Sequence, residues 1–355
     1  MRHWPTLVPV LAVALLAAAF QLPLGGVLTL ACAAALMAVV VAAVHHAEVV
    51  AHRVGEPFGT LVLALAITVI EVALIVSMML AGGPEKATLA RDSVYATVMI
   101  ICSGVVGACL LAGALRHHEQ SFRTEGAGPA LAALVTMAAM VLVLPDFTTS
   151  APFALYSTSQ LLFIAVASLV LWAVFVFVQT VRHRDYFLPP EHADDADVHA
   201  APPSNAAAWG SFALLLVSLV AVVGLAKVLS PRIEAAVEAA GAPQSVIGIA
   251  IAMLVLLPET TAALRAAMSN RLQTSMNLAL GSALASIGLT IPVVVLAAVW
   301  FHLPLVLGLD PKDLVLLTLA CLVSTITLGT GRTNLMQGAV HLVIFAAFLF
   351  LSLVP

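Results

Sequence analysis

The chain has 355 residues, 62% of them hydrophobic and only 9% charged, and its mean hydropathy of +1.12 is far above what a water-soluble domain needs to fill its core. A formal net charge of -4, with 14 Lys and Arg that never form a run, argues against nucleic acid as a partner. The four cysteines, Cys32, Cys102, Cys109 and Cys321, all lie in apolar stretches and read as small reduced core residues rather than as disulfides or metal ligands.

The apolar run after Met1–His3 is followed by a second apolar run, not by a small-residue cleavage site and a polar domain, so it reads as a retained span. A span needs about 20 mostly apolar residues to cross about 30 Å of hydrocarbon. Cutting the chain at charges and at Pro/Gly clusters predicts eleven, at 5–23, 26–46, 59–81, 94–116, 129–145, 157–181, 209–229, 245–268, 275–301, 313–329 and 334–353. The loops on the N-terminal side hold Arg2, Arg53, Arg116, Arg123, Arg182, Arg184, Arg265, Arg271 and Arg332; the opposite side holds only Lys86, Arg91, Lys227, Arg232 and Lys312. The positive-inside bias then predicts a cytoplasmic N-terminus, and the odd count a periplasmic or extracellular C-terminus, in the inner membrane of a bacterial cell.

The one long polar stretch, His183 to Asn205, carries Asp185, Glu191, Asp194, Asp195 and Asp197 among four prolines, and reads as a flexible acidic cytoplasmic linker. The expected organisation is an extra N-terminal helix (1–25), a first five-helix repeat (26–182), the linker (183–208) and a second five-helix repeat (209–355). Halves with an odd number of helices in one chain must have opposite membrane orientation. The expected fold is therefore an all-α polytopic membrane protein of about eleven transmembrane helices with two inverted five-helix repeats.

A charge at bilayer depth costs about 2.5–3.5 kcal/mol on insertion scales, so a carboxylate in mid-span points to function. There are two, Glu71 in the third span and Glu259 in the eighth, which are the second helices of the two halves. Beside Glu259, Pro258 removes a backbone donor and frees a carbonyl about one turn earlier, near Leu254 and Val255. The next helix carries Asn277 near its start, then Ser282, Ser286 and Thr290 at i, i+4 and i+8 on one stripe, with Gly281 and Ala285 beside it to let another helix approach. The corresponding helix of the first half offers Ser103, with Gly104 and Gly107. Hydroxyls at such spacing serve as helix glue or as ion ligands, and their place after the glutamate helix favours ligands.

The stretches VGEPFGTLVLALAITVIEVALI (Val54 to Ile75), LPETTAALRAAMSNRLQTSMNLALGSALASIGLTIPVV (Leu257 to Val294) and GTGRTNLMQGAVHLVIFAAF (Gly329 to Phe348) resemble the bacterial sodium-calcium/proton antiporters of the Cha type, within the calcium/cation antiporter superfamily. The first two are similar to the paired alpha repeats of that superfamily. The resemblance implies that Glu71 and Glu259 bind the cation and exchange it for protons. Gly281-Ser282 with Ser286 resembles the pattern that completes the site in sodium/calcium exchangers. Vacuolar-type calcium/proton exchangers place a Gly-Asn pair four residues before each glutamate, where this chain has Ile67-Thr68 and Val255-Leu256. Only Thr68 of these offers a side-chain oxygen, so the set of hard ligands is sparse.

The expected cargo is Ca2+ against H+, with Na+ or K+ open, and no resident cofactor. Calcium takes six to eight oxygen ligands, usually with carboxylates among them. Two glutamates and one divalent ion sum to zero, whereas an empty site leaves two like charges that favour protonation. Cation or protons must neutralise the pair before the helices rock, which is exchange. A monovalent Na+(K+)/H+ antiporter using the same glutamates is the alternative. A cation channel is a third class, and no repeated selectivity-filter loop supports it. The expected partners are the lipid bilayer and inorganic cations, with a homo-oligomer open.

His45, His46, Glu48, His52 and Glu56 cluster at the cytoplasmic mouth before the third span, where pH sensing or cation funnelling competes with a plain solvated helix. Their spacing is not His-Glu-x-x-His, which argues against a zinc protease. Leu280 stands where a serine-protease elbow around Ser282, paired with His341, needs glycine. Asp194-Asp195-Ala196-Asp197 lacks the spacing of an EF-hand loop. The chain is therefore not expected to be an enzyme.

Overall fold

The computed structural model describes residues 4–23, 25–55, 58–151, 155–187, 203–241, 243 and 245–354. Its elements are nearly all helical. Helix α1 (Trp4–Gln21) is followed by α2 (Gly26–Val54) and α3 (Phe58–Gly82). Next, α4 (Leu89–Met99) runs through π-helical Ile100–Val105 into α5 (Val106–His117), so that the two make one span. Helix α6 (Thr124–Ala138) likewise continues through Ala139–Val143 and a 3-10 turn, Leu144–Phe147; α7 (Thr158–Phe177) ends in π-helical Val178–Arg182. After the acidic stretch come α8 (Asn205–Ala239), α9 (Ser245–Met268), α10 (Leu272–Phe301), α11 (Pro311–Leu328) and α12 (Leu335–Leu353). Among the described residues eleven of these runs are long and apolar enough to cross a bilayer, as the sequence predicts.

Two helices outrun the C-terminal ends of their predicted spans by eight residues or more. The predicted second span stops at 46, yet α2 continues to Val54 because nothing breaks the ladder until Gly55, whose φ of 76° only glycine adopts readily. Helix α8 passes through Lys227, Pro231 and Arg232 to Ala239, although its apolar part ends near 229. Charge marks where a helix leaves hydrocarbon, not where it unwinds. Two starts are set by capping boxes. The Ser157 side chain accepts from the Gln160 N–H while the Gln160 side chain accepts from the Ser157 N–H, and Asn334 and Gln337 repeat the arrangement.

The helices form two compact units. In the first, α8 packs against α1, α2 and α3, and α2 lies between α1 and α3. Gly224 of α8 faces Leu16 of α1 so closely that a Cβ there would require the Leu16 side chain to move. The second unit contains α4 to α7 and α9 to α12. There α5, in the third span of the first half, packs on α12, the fifth span of the second half, and α10 packs on α7 in the reciprocal way. The fourth spans follow suit, α6 against α10 and α11 against α4 and its π stretch. Small residues make these approaches close. A Cβ on Gly107 would lie 2.8 Å from the His341 Cβ, one on Gly338 would lie 2.5 Å from the Leu111 nitrogen, and Gly288 meets the Trp172 side chain. Reciprocal packing of third, fourth and fifth spans is what two interlocked halves of one layout produce. A two-residue antiparallel ladder, β1 (Gln120–Ser121) with β2 (Arg332–Thr333), joins loops of the two halves. These units cut across the chain-order segments 26–182 and 209–355.

Candidate functional site

In the first unit Glu71 lies thirteen residues after the first residue of α3 and eleven before its last, and only 3% of it is exposed. Ile67, Ile70, Leu74 and Ile75 around it are buried as well. One turn earlier Thr68, also buried, donates its hydroxyl proton to the Ala64 carbonyl at 2.9 Å. A hydroxyl whose proton is committed to its own helix turns only lone pairs outward, which is the polarity a cation needs.

The second unit holds Glu259, half-buried in the middle of α9 directly after Pro258. Two neighbours missed from sequence bond carbonyls of the same helix beside that proline: the Thr260 hydroxyl donates to Leu256 O at 2.7 Å and the Thr261 hydroxyl to Pro258 O at 2.8 Å. The run Pro-Glu-Thr-Thr was their visible signal. On α10, Ser286 and Thr290 are buried and Ser282 is half-buried. Ser103, fully buried, lies in the π-helical stretch Ile100–Val105 and donates to Met99 O. A π turn widens the helix by one residue and recurs at functional positions because it redirects side chains and carbonyls.

Asn277 has both polar atoms engaged elsewhere. Its amide nitrogen donates to Phe187 O at 2.6 Å and its oxygen accepts from Gln273 Nε2 at 2.9 Å. It belongs to a belt at the N-terminal end of α10, where Gln273 Oε1 also accepts from the Arg123 N–H at 2.6 Å and Gln120 Nε2 donates to Ala267 O and to Asn270 Oδ1. Asn270 takes a left-handed φ of 59° to make the short α9–α10 turn.

The histidine cluster divides. His46 is buried on α2, and its Nε2 bonds Pro5 O of α1 at 2.9 Å, while Glu48 and His52 are exposed. Glu56 and Asp194–Asp197 lie outside the described residues. His341 faces Cys102 and Thr327.

A charged group at the far end of the second unit went unremarked in the sequence. Arg91 bonds Asp92 at 2.8 Å and Gly308 O at 2.8 Å and lies 3.9 Å from Asp310. Thr88 donates to Asp92 at 3.0 Å, and Asp146 accepts from the Leu309 N–H at 3.1 Å. These contacts tie the 303–310 connection to the start of α4 and the end of the α6 span. The adjacent Arg91-Asp92 pair and the Asp-Pro-Lys-Asp start of α11 were the signals available.

The comparisons with known proteins agree with this architecture. A Sinorhizobium fredii protein, y4hA, is 49% identical over 355 residues, covering 99% of this chain and 96% of its own length. The sodium-potassium/proton antiporter ChaA of Escherichia coli is 38% identical over 310 residues, 86% of this chain and 83% of that one. The fold matches the crystal structure of the Ca2+/H+ antiporter protein YfkE with a TM-score of 0.72 over 99% of both chains, at 17% identity. The sodium/calcium exchanger protein model matches residues 24–181 and 210–354, one segment on each side of the acidic stretch, and the chain, a multi-pass membrane protein, belongs to that family.

Proposed function

We propose that the chain is a secondary active antiporter that exchanges Ca2+ for H+ across the bacterial inner membrane by alternating access, with the N-terminus cytoplasmic and the C-terminus on the other side. The observation that carries this reading is the pair of mid-span carboxylates, Glu71 and Glu259, in the second helices of the two halves. They supply the two negative charges that one divalent ion, or two protons, neutralises. Charge balance couples the ions, since a doubly charged empty protein pays the full penalty of carrying carboxylates through low dielectric. Thr68, Ser103, Ser282 and Ser286 add neutral oxygens to the carboxylates.

A second reading has its own support. Relatives in this family include ChaA, a sodium-potassium/proton antiporter by name at 38% identity, and the neutral ligands of this chain are few and mostly hydroxyls. Sodium or potassium then replaces calcium against the same glutamates. Inverted membrane vesicles with an imposed proton gradient separate the readings. Dissipation by added CaCl2 supports calcium/proton exchange, and dissipation by NaCl or KCl alone supports the monovalent reading. Cation flux without counter-movement of protons would refute both in favour of a channel.

A further inference from the structure

The contact between α12 and the π-helical stretch contains a buried histidine to which the proposed exchange assigns no role. His341 is 0% exposed. Its Nδ1 bonds the Cys102 carbonyl at 2.7 Å, and its Nε2 meets the Thr327 hydroxyl of α11 at 3.1 Å. The same carbonyl accepts a second, longer bond from Ser324 of α11 at 3.4 Å. Two helices, α11 and α12, therefore converge on one carbonyl, and that carbonyl belongs to the residue before Ser103.

The reason lies in the π turn. Within it the Val106 N–H reaches back five residues to Ile101 O, so the bulge disrupts the regular ladder, and carbonyls in it need partners from outside the helix. Cys102 O obtains them from His341 and Ser324. A carbonyl can only accept, so Nδ1 carries the proton, and Nε2 accepts from the Thr327 hydroxyl. The rigid imidazole spans both partners, which an aliphatic side chain cannot do. Gly107, whose missing Cβ lets α5 and α12 approach at His341, brings the ring within reach.

We propose that His341 is a positioning residue for cation binding: by holding the Cys102 carbonyl it fixes the π register of Ile100–Val105 and with it the placement of Ser103. The proposal rests on the reading of Ser103 as a supporting ligand. It assigns His341 no contact with the ion.

The test compares His341→Leu, His341→Asn, Ser103→Ala and the His341→Leu/Ser103→Ala double variant in inverted vesicles, using CaCl2 as the probe and normalising rates to inserted protein. Loss of a buried hydrogen bond predicts that His341→Leu raises the half-saturating calcium concentration roughly fivefold or more, while the maximal rate stays within about twofold. The Asn side-chain nitrogen superposes on Nδ1, so His341→Asn restores the half-saturation value. The double variant should bind no more weakly than Ser103→Ala alone, because both act through one place. An unchanged half-saturation value in His341→Leu overturns the proposal, as do a loss confined to maximal rate, equal losses in Leu and Asn, or additive losses in the double variant. If Ser103→Ala alone keeps the wild-type value, the ligand reading itself fails; if Ser103→Ala is impaired and His341→Leu is not, only the positioning role falls. Should His341→Leu not reach the membrane, His341→Gln, whose side-chain nitrogen superposes on Nε2 and leaves the Cys102 carbonyl without its imidazole donor, carries the same expectation and the same refutation.

Discussion

Glu71→Gln isolates charge from shape. The amide has the size of the carboxyl and can still offer one oxygen, but it carries no charge and cannot take up a transported proton. Glu71 is 3% exposed, so water does little to screen what is lost. Removing one partner of a buried charge pair costs about 3–5 kcal/mol, because the remaining charge is left uncompensated. That converts to a half-saturating calcium concentration raised at least about a hundredfold. A calcium-loaded Glu71→Gln protein also keeps one uncancelled positive charge, so its maximal rate should fall as well. The assay is calcium-driven collapse of a proton gradient in inverted vesicles, followed with a pH-sensitive dye and normalised to inserted protein. A Glu71→Gln protein that exchanges calcium for protons with wild-type half-saturation would refute the charge-balance argument and the assignment of Glu71 together.

Glu259→Gln should abolish the same exchange, though Glu259 is half-buried and its loss is better screened; normal exchange by this variant returns Glu259 to a structural role. Ser282→Ala should weaken calcium half-saturation only in part, since a hydroxyl is a poorer ligand than a carboxylate, and an unchanged value would make Ser282 helix glue. A cysteine at Asp195→Cys should react only with reagents that reach the cytoplasm and one appended after Pro355 only with external reagents, and labelling of both from one side would overturn the odd span count. The double variant His46→Gln/His52→Gln should keep a pH-dependent rate with protons and calcium still in competition, because His46 is occupied with Pro5 O; a pH-independent rate would move the response from the glutamates to the histidines.

The spans were legible because hydrocarbon imposes one simple requirement, a long apolar run, and Glu71 and Glu259 stood out against it for the same reason. Helix ends were less legible. Nothing in the run from His45 to Val54 forbids a helix, so α2 continues until Gly55, and hydropathy does not report the difference. Asn277 shows the limit for polar residues: its place in the sequence suits a ligand, and its two hydrogen bonds to Phe187 and Gln273 emerge only from the fold. The π turn at Ile100–Val105 left no trace either. Its sequence, IICSGV, is compatible with an α-helix, and the bulge depends on outside partners such as His341, 239 residues away from Cys102 in the chain.

The two halves repeat a layout without repeating its details. Near Glu259 the backbone is opened by Pro258, and the Thr260 and Thr261 hydroxyls bond carbonyls of the same helix beside it. The first half has no proline beside Glu71; in α3 the Thr68 hydroxyl bonds Ala64 O, and an irregularity occurs one span later, in the π turn. A proline defect is covalent and persists whatever surrounds it. A π turn held by side chains from α11 and α12 is conditional, since it lasts only while those helices stay packed against it. The third span of the first half is therefore the place where a shift of α11 or α12 would be felt directly at Ser103, whereas the proline defect beside Glu259 belongs to its own helix.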